Sequence, residues 1–205
     1  GALAKPEWSD PVGQSLRERG LEHERRYLAW LSKGALQVAD LSGLSFDDAH
    51  ARTRAAMARG MDVIYQAALA RDDWRGYADV LVRVEHASDL GAWSYEAHDT
   101  KLAKETRGGT ILQLSTYSEL LAGMQGGAPE RFHVVTPASG ESAADMPFVV
   151  HSYRVDDYAA YFRRVRGQLL ATLAEGHEPV LARTYPEPAE ACELCRWWAR
   201  CNGRR

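Results

Sequence analysis

The sequence predicts a mixed α/β fold, a central sheet flanked by helices. Two observations carry that prediction. Residues Leu16, Gly20, His23, Tyr27 and Leu31 recur at three- to four-residue spacing, the mark of an amphipathic helix. Later, short apolar runs bounded by turn residues alternate with helical stretches, in the order helix, helix, three strands, helix, strand pair, helix.

The first helix is expected over 11–33 with Gly34 as its stop, and Leu36–Leu41 reads as a short strand. Ser45 is placed to cap a second helix over 46–60, which Gly60 ends. Strands follow over 62–69, 74–84 and 93–103, the first two joined at Arg71-Asp72-Asp73 in a hairpin-like link. Gly108-Gly109-Thr110 opens a helix over 110–125, strands follow over 131–136 and 147–153, and a Gly/Ala/Ser-rich loop at 137–146 parts them. A long helix over 155–175 leads to an irregular tail.

The 205 residues suit one domain with a small appendage, expected as a core over 1–185 and a cysteine-rich tail over 186–205 packed upon it. Hydrophobic residues make up 45%, enough for a core, and no run approaches the ~18 apolar residues of a membrane span. With no signal peptide visible either, the expectation is a cytoplasmic protein without membrane contact. The net charge of −3 argues against a wholly cationic nucleic-acid binder. Arginines do cluster at Arg163, Arg164 and Arg166 and again at Arg196, Arg200, Arg204 and Arg205, either as solvated faces or as phosphate contacts.

On a strand, residues two apart share a face. Asp99 and Lys101 therefore point one way, with Ala97 and Tyr95, and Glu96, His98 and Thr100 point the other. Asp79 is expected to share its face with Leu81 and Arg83, leaving Ala78, Val80 and Val82 buried. A carboxylate amid apolar alternation is costly unless a cation or metal compensates it; an Asp79–Lys101 salt bridge would suffice, and so would a divalent ion. His23 lies on the apolar stripe of the first helix, where a satisfied core histidine is the plainer reading. Gln113 and Tyr117, four apart, project from one helix face continued by Leu121 and Met124.

Taken in order, the set is Gly20-x-x-His23, Gly76-x-x-Asp79-x-Leu81, Asp99-x-Lys101 and Gln113-x-x-x-Tyr117. This order resembles the RecB-type branch of the PD-(D/E)XK nuclease superfamily, and within it the RecB-like nucleases that carry a C-terminal cysteine cluster and are often fused to a helicase-like region. GLEHERRYL, IYQAAL, WRGYADVLVRVE, SYEAHDTKLA, LQLSTYSELL and CELCRWW share that look, from about residue 11 to 201. The resemblance implies a restriction-endonuclease-like core. It further implies that His23, Asp79 and Asp99 bind Mg²⁺ or Mn²⁺ with help from Thr100, that Lys101 serves the nucleophile, and that Gln113 and Tyr117 line the DNA path. Carboxylate oxygens suit such hard ions, and an imidazole shifts preference toward Mn²⁺.

Cys192, Cys195 and Cys201, the chain's three cysteines, crowd near its end, which argues for a metal rather than disulfides. In the resembling nucleases three such cysteines join a fourth near the N-terminus around a 4Fe–4S cluster. This sequence has no fourth cysteine, so a fragment lacking its N-terminal segment is expected. A Zn²⁺ site with His177 or another donor, and three unmetallated thiols, are the rival readings. Trp197-Trp198 would pack the tail or stack with bases.

The expected activity is metal-dependent hydrolysis of DNA, exonucleolytic on single strands or free ends. The alternatives are a catalytically silent DNA-binding module and an endonuclease on the same core. Arg107, Arg163 and Arg164 are the expected backbone contacts, with the salt dependence that phosphate binding brings.

Overall fold

The computed structural model describes residues 10–34, 36–103, 105–139, 146–183, 187–189, 192 and 195–203. Part of the expected loop over 137–146 and part of the cysteine tail lie outside the described residues. The chain divides into two compact units, one over Arg19–Arg163 and one formed from the residues on either side of it.

The elements are α1 (Pro11–Leu31), β1 (Val38–Asp40), α2 (Phe46–Ala58), β2 (Val63–Arg71), β3 (Trp74–Val84), β4 (Ser94–Thr100), α3 (Gly108–Gln125), β5 (Arg131–Pro137), β6 (Phe148–Arg154), α4 (Val155–Glu175), α5 (His177–Arg183) and α6 (Trp198–Asn202). The fold is α/β: a six-stranded open mixed sheet flanked by helices, with a C-terminal region that carries the cysteines. Strand order follows chain order. β1/β2 and β4/β5 are parallel, and the other three pairs are antiparallel. Parallel neighbours need a crossover, and α2 and α3 supply the two.

Local chemistry fixes these elements. Ser45 caps α2 by accepting the Asp48 N–H at 3.2 Å. The β2–β3 hairpin turns on Asp72-Asp73, with Asp72 at φ +52°, a region Asp tolerates through its short polar side chain. One face of the sheet buries Ile64, Leu81, Tyr95 and Ala97 against Met57 of α2 and Leu114 and Leu121 of α3. The other face buries Val63, Tyr65, Val80, Val135 and Phe148 against Tyr27 of α1.

α1 departs from its expected stripe. Leu16 is 49% exposed, and among the described side chains of α1 the buried ones are His23, Glu24 and Tyr27. Tyr27 anchors this end of α1: its hydroxyl lies 2.8 Å from His98 Nδ1 on β4. His98 stacks on His133 at 4.2 Å, and His133 bonds Glu96 at 2.8 Å through Nε2. Burial, with His133 adding to it, holds the His98 imidazole well below the usual range, so it stays neutral. Among the described residues no helix is long and apolar enough to cross a membrane.

Candidate active site

The sheet forks at Asp79. The β3–β4 ladder runs from Val84↔Ser94 to Val80↔His98 and stops there. β4 stays with β5 two residues longer, through Thr100↔Val135 and the Lys101 N–H donated to Val135 O at 2.9 Å. Beyond the end of the β3–β4 ladder, the Thr100 N–H is satisfied by the Asp79 side chain. Asp79 Oδ2 accepts the Thr100 N–H at 2.8 Å and its hydroxyl at 2.9 Å. A buried N–H left bare would cost about 1–3 kcal/mol.

The distortion continues into β2. Gln66 falls between the pairs Tyr65↔Val80 and Ala67↔Ala78, opposite Asp79, and takes φ +53°. A non-glycine residue held there carries roughly 1–3 kcal/mol of strain. Strand parity slips at the same point. Ile64 and Ala67 pack in one cluster, as do Ala78 and Leu81, three apart rather than two, while Val80 packs in the other. This corrects the expected strict alternation, in which Ala78 and Val80 shared a face opposite Leu81.

Asp99 is 1% exposed. Lys101 Nζ lies 2.7 Å from its Oδ2 as an ion pair, so Lys101 partners Asp99 rather than Asp79. An ammonium at that distance is a charge-assisted contact with Oδ2, and Asp99 Oδ1 has no hydrogen-bond partner among the described residues. Burial, then the negative charge of Asp79, pushes the Asp99 carboxyl up to about 6, against the pull of Lys101. Glu24 adds a smaller push of the same sign.

Glu24 is the residue that the sequence motifs passed over. It stands beside His23 and three residues before Tyr27, on the buried side of α1. Its carboxylate accepts a bond from Gln66 Nε2, the side chain opposite Asp79. Burial and Asp79 raise the Glu24 carboxyl, while Gln66, Tyr65 and Arg25 draw it down. A Glu on the buried side of a helix needs a partner, and Gln66 supplies it.

His23 is buried as well. Its Nε2 donates to Val135 O at 3.2 Å, the carbonyl that also takes the Lys101 N–H, and its ring lies 5.5 Å from Phe148. With Nε2 turned to that carbonyl, Nδ1 is the ring nitrogen left to face another partner. His23 thus sits at the β4–β5 end of the fork, and Glu24 at the Gln66 side.

α3 closes the site. Gln113 Nε2 donates to the Tyr117 hydroxyl at 2.9 Å. Burial raises the Tyr117 phenol, Asp99 and Asp79 raise it further, and Lys101 opposes them, so the ring stands within the field of the carboxylates. Gly76 makes this approach possible, because a Cβ there would lie 2.7 Å from Tyr117 Cε1.

The cysteines lie outside this unit. Cys192, Cys195 and Cys201 are free thiols that line a cavity of about 80 Å³ with Glu187, Trp198 and Asn202. Cys192 Sγ accepts the Ala189 N–H at 3.4 Å. The side chain of His177 is outside the described residues. Arg107, Arg163 and Arg164 are exposed.

No protein-family model matches this chain, and a search of curated proteins finds no match. Three carboxylates (Glu24, Asp79 and Asp99) and one ammonium gather where the strands part. Among the described residues, no three His, Cys, Asp or Glu side chains converge tightly enough to hold an ion as they stand. Like charges repel when no cation lies between them, and Lys101 already occupies one side of Asp99.

Proposed function

We propose that this chain is a metal-dependent nuclease of PD-(D/E)XK type, RecB-like, that hydrolyses DNA phosphodiesters exonucleolytically from single strands or free ends. The observation that carries the reading is Asp99: a carboxylate 1% exposed, raised by a second carboxylate, paired with one lysine at Oδ2 and left without a hydrogen-bond partner at Oδ1 among the described residues. Burying a charge in that way is unfavourable unless something else compensates it.

A divalent ion fits this donor set. Asp79 and Asp99 would hold Mg²⁺ or Mn²⁺, with Glu24 as the third carboxylate and His23 Nδ1 as the nitrogen donor available if Mn²⁺ is used. When bound, such an ion polarises the phosphate and lowers the pKa of water. The chain's own residues do the rest. Thr100 fixes the Asp79 carboxylate through two bonds, which sets its orientation before substrate arrives. Lys101 carries positive charge to the place where phosphoryl oxygens gain negative charge. Tyr117, backed by Gln113, presents a rigid wall to the nucleotide.

For the tail, the chain's three thiols fall one short of the four that hold a 4Fe–4S cluster. Zn²⁺ or a cluster there needs a donor beyond the three cysteines. A helicase partner rests on the family resemblance alone.

The test is degradation of end-labelled single-stranded DNA with Mg²⁺ or Mn²⁺. Wild type is expected to cut, and Asp99→Asn and Lys101→Ala to lose at least about 100-fold in rate with unchanged circular dichroism. Full activity in both variants contradicts the assignment. Binding without cutting, with either metal, identifies a silent DNA-binding module instead.

A further inference from the structure

An open groove of about 260 Å³ adjoins the carboxylates, lined by Leu21, Arg25, Ser42, Tyr65, Gln66 and Tyr77 among others. It shares a wall with the site. Gln66 and Tyr65, which line the groove, both act on Glu24: Gln66 Nε2 donates to its carboxylate, and Tyr65 helps draw its carboxyl down. Tyr77 stands on β3 two residues before Asp79.

Tyr77 is held as a platform. It is 39% exposed, and its ring meets Phe46 edge-on at 5.3 Å and 80°. Phe46 in turn stacks with His50 at 6.2 Å and 7°, and the Arg75 guanidinium lies 5.3 Å over the Phe46 ring. His50 is fixed by a 3.0 Å bond between Nδ1 and Ala68 O. An exposed aromatic alone means little. This one is braced from behind, faces an open groove, and neighbours the carboxylate site.

The groove also has the right charge and size. Arg25 is the one charged residue among its described lining, while the Glu24 and Asp40 carboxylates act on Tyr65 from beside it. The volume sits near the lower limit of small-molecule pockets, about 300 Å³. That suits one flat base, not a duplex, whose bases are already stacked and paired.

We propose that the groove is a subsite for one unpaired nucleotide of a DNA strand, its base stacked on Tyr77 and its phosphate facing Arg25. The proposal deepens the nuclease reading and rests on it: the bound nucleotide flanks the phosphate held at Asp79 and Asp99. It gives the site a preference for single strands by a physical route, since stacking on a side chain requires a base free of its own stack.

The test measures anisotropy of a labelled single-stranded oligonucleotide and its matching duplex, without divalent cation. Tyr77→Ala is expected to weaken single-strand binding about 5- to 100-fold, the range that base–aromatic stacking supports. Tyr77→Trp should bind as well as wild type, because it keeps a stacking face. Arg25→Gln should reduce the slope of log affinity against log salt by about one. In cleavage assays Tyr77→Ala should raise KM and leave kcat within about twofold. If wild type binds and cuts while Tyr77→Ala and Arg25→Gln bind as wild type, the subsite is overturned and the nuclease reading survives. If wild type binds and Tyr77→Ala does not, yet no metal supports cutting, the nuclease reading fails and the subsite stands. Failure of wild type to bind any single strand overturns the subsite.

Discussion

Asp79 and Thr100 are joined twice, through the Thr100 N–H at 2.8 Å and the Thr100 hydroxyl at 2.9 Å, at the point where β3 leaves β4. The carboxylate thereby replaces the ladder bond that the parting strands give up. Thr100→Val keeps the backbone bond and shape but removes the hydroxyl. We expect about 1 kcal/mol of stability lost and cleavage reduced about 5- to 10-fold, with Thr100→Ser restoring both. Urea denaturation and initial rates measure the two effects.

The raised Asp99 carboxyl makes a pH prediction with a definite sign. Its folded pKa of about 6 exceeds the unfolded value near 3.8, so the contribution it makes to stability is fully present below about pH 4. That contribution is lost as pH rises through 6, on the order of 3 kcal/mol at most. Buried neutral His98 works the other way: its depressed pKa costs stability as pH falls below the ordinary histidine range. Comparing Tm of wild type with Asp99→Asn between pH 4 and 7, without metal, isolates the first effect. The variant should gain on wild type as pH rises, and Mn²⁺ should narrow the gap by stabilising wild type alone.

Gly76 and Tyr117 should behave as a coupled pair. Gly76→Ala pushes a methyl to 2.7 Å from the Tyr117 ring and is expected to cost about 1–3 kcal/mol. Once Tyr117→Ala has removed the ring, adding Gly76→Ala should cost much less. A double-mutant cycle in urea reads the difference, and strict additivity would show that the contact is unimportant.

Most of the fold was legible because its elements announce themselves locally. Ser45 with Asp48, the Asp72-Asp73 turn and the runs that became β2 to β6 all carry their own signals. The fork was not legible. Period-2 reasoning assumes an unbroken strand, and the slip at Asp79 comes from Gln66 at φ +53° on the neighbouring strand, a long-range effect. The same limit hid Glu24. Its role follows from Gln66 and Asp79, forty or more positions away, whereas His23 beside it drew notice as an imidazole. Leu16 misled in the opposite direction, since helical spacing gives a face and does not say where burial of that face begins.

Glu24 and His23 can be separated experimentally. Glu24→Gln removes a charge that is electrostatically linked to both Asp79 and Asp99, so the Mn²⁺ concentration for half-maximal cleavage should rise at least about tenfold. His23→Asn removes the imidazole that bonds Val135 O, and should lower stability more than it shifts the Mn²⁺ requirement. Equal shifts in both variants would favour the imidazole as a full ligand.

The most direct measurement is anomalous scattering at the manganese edge from a crystal soaked in Mn²⁺. One strong peak is expected in contact with the carboxylates of Asp79 and Asp99. A protein that degrades DNA with Mn²⁺ yet shows no manganese at that pair, or shows it only at the thiols of Cys192, Cys195 and Cys201, would contradict that placement.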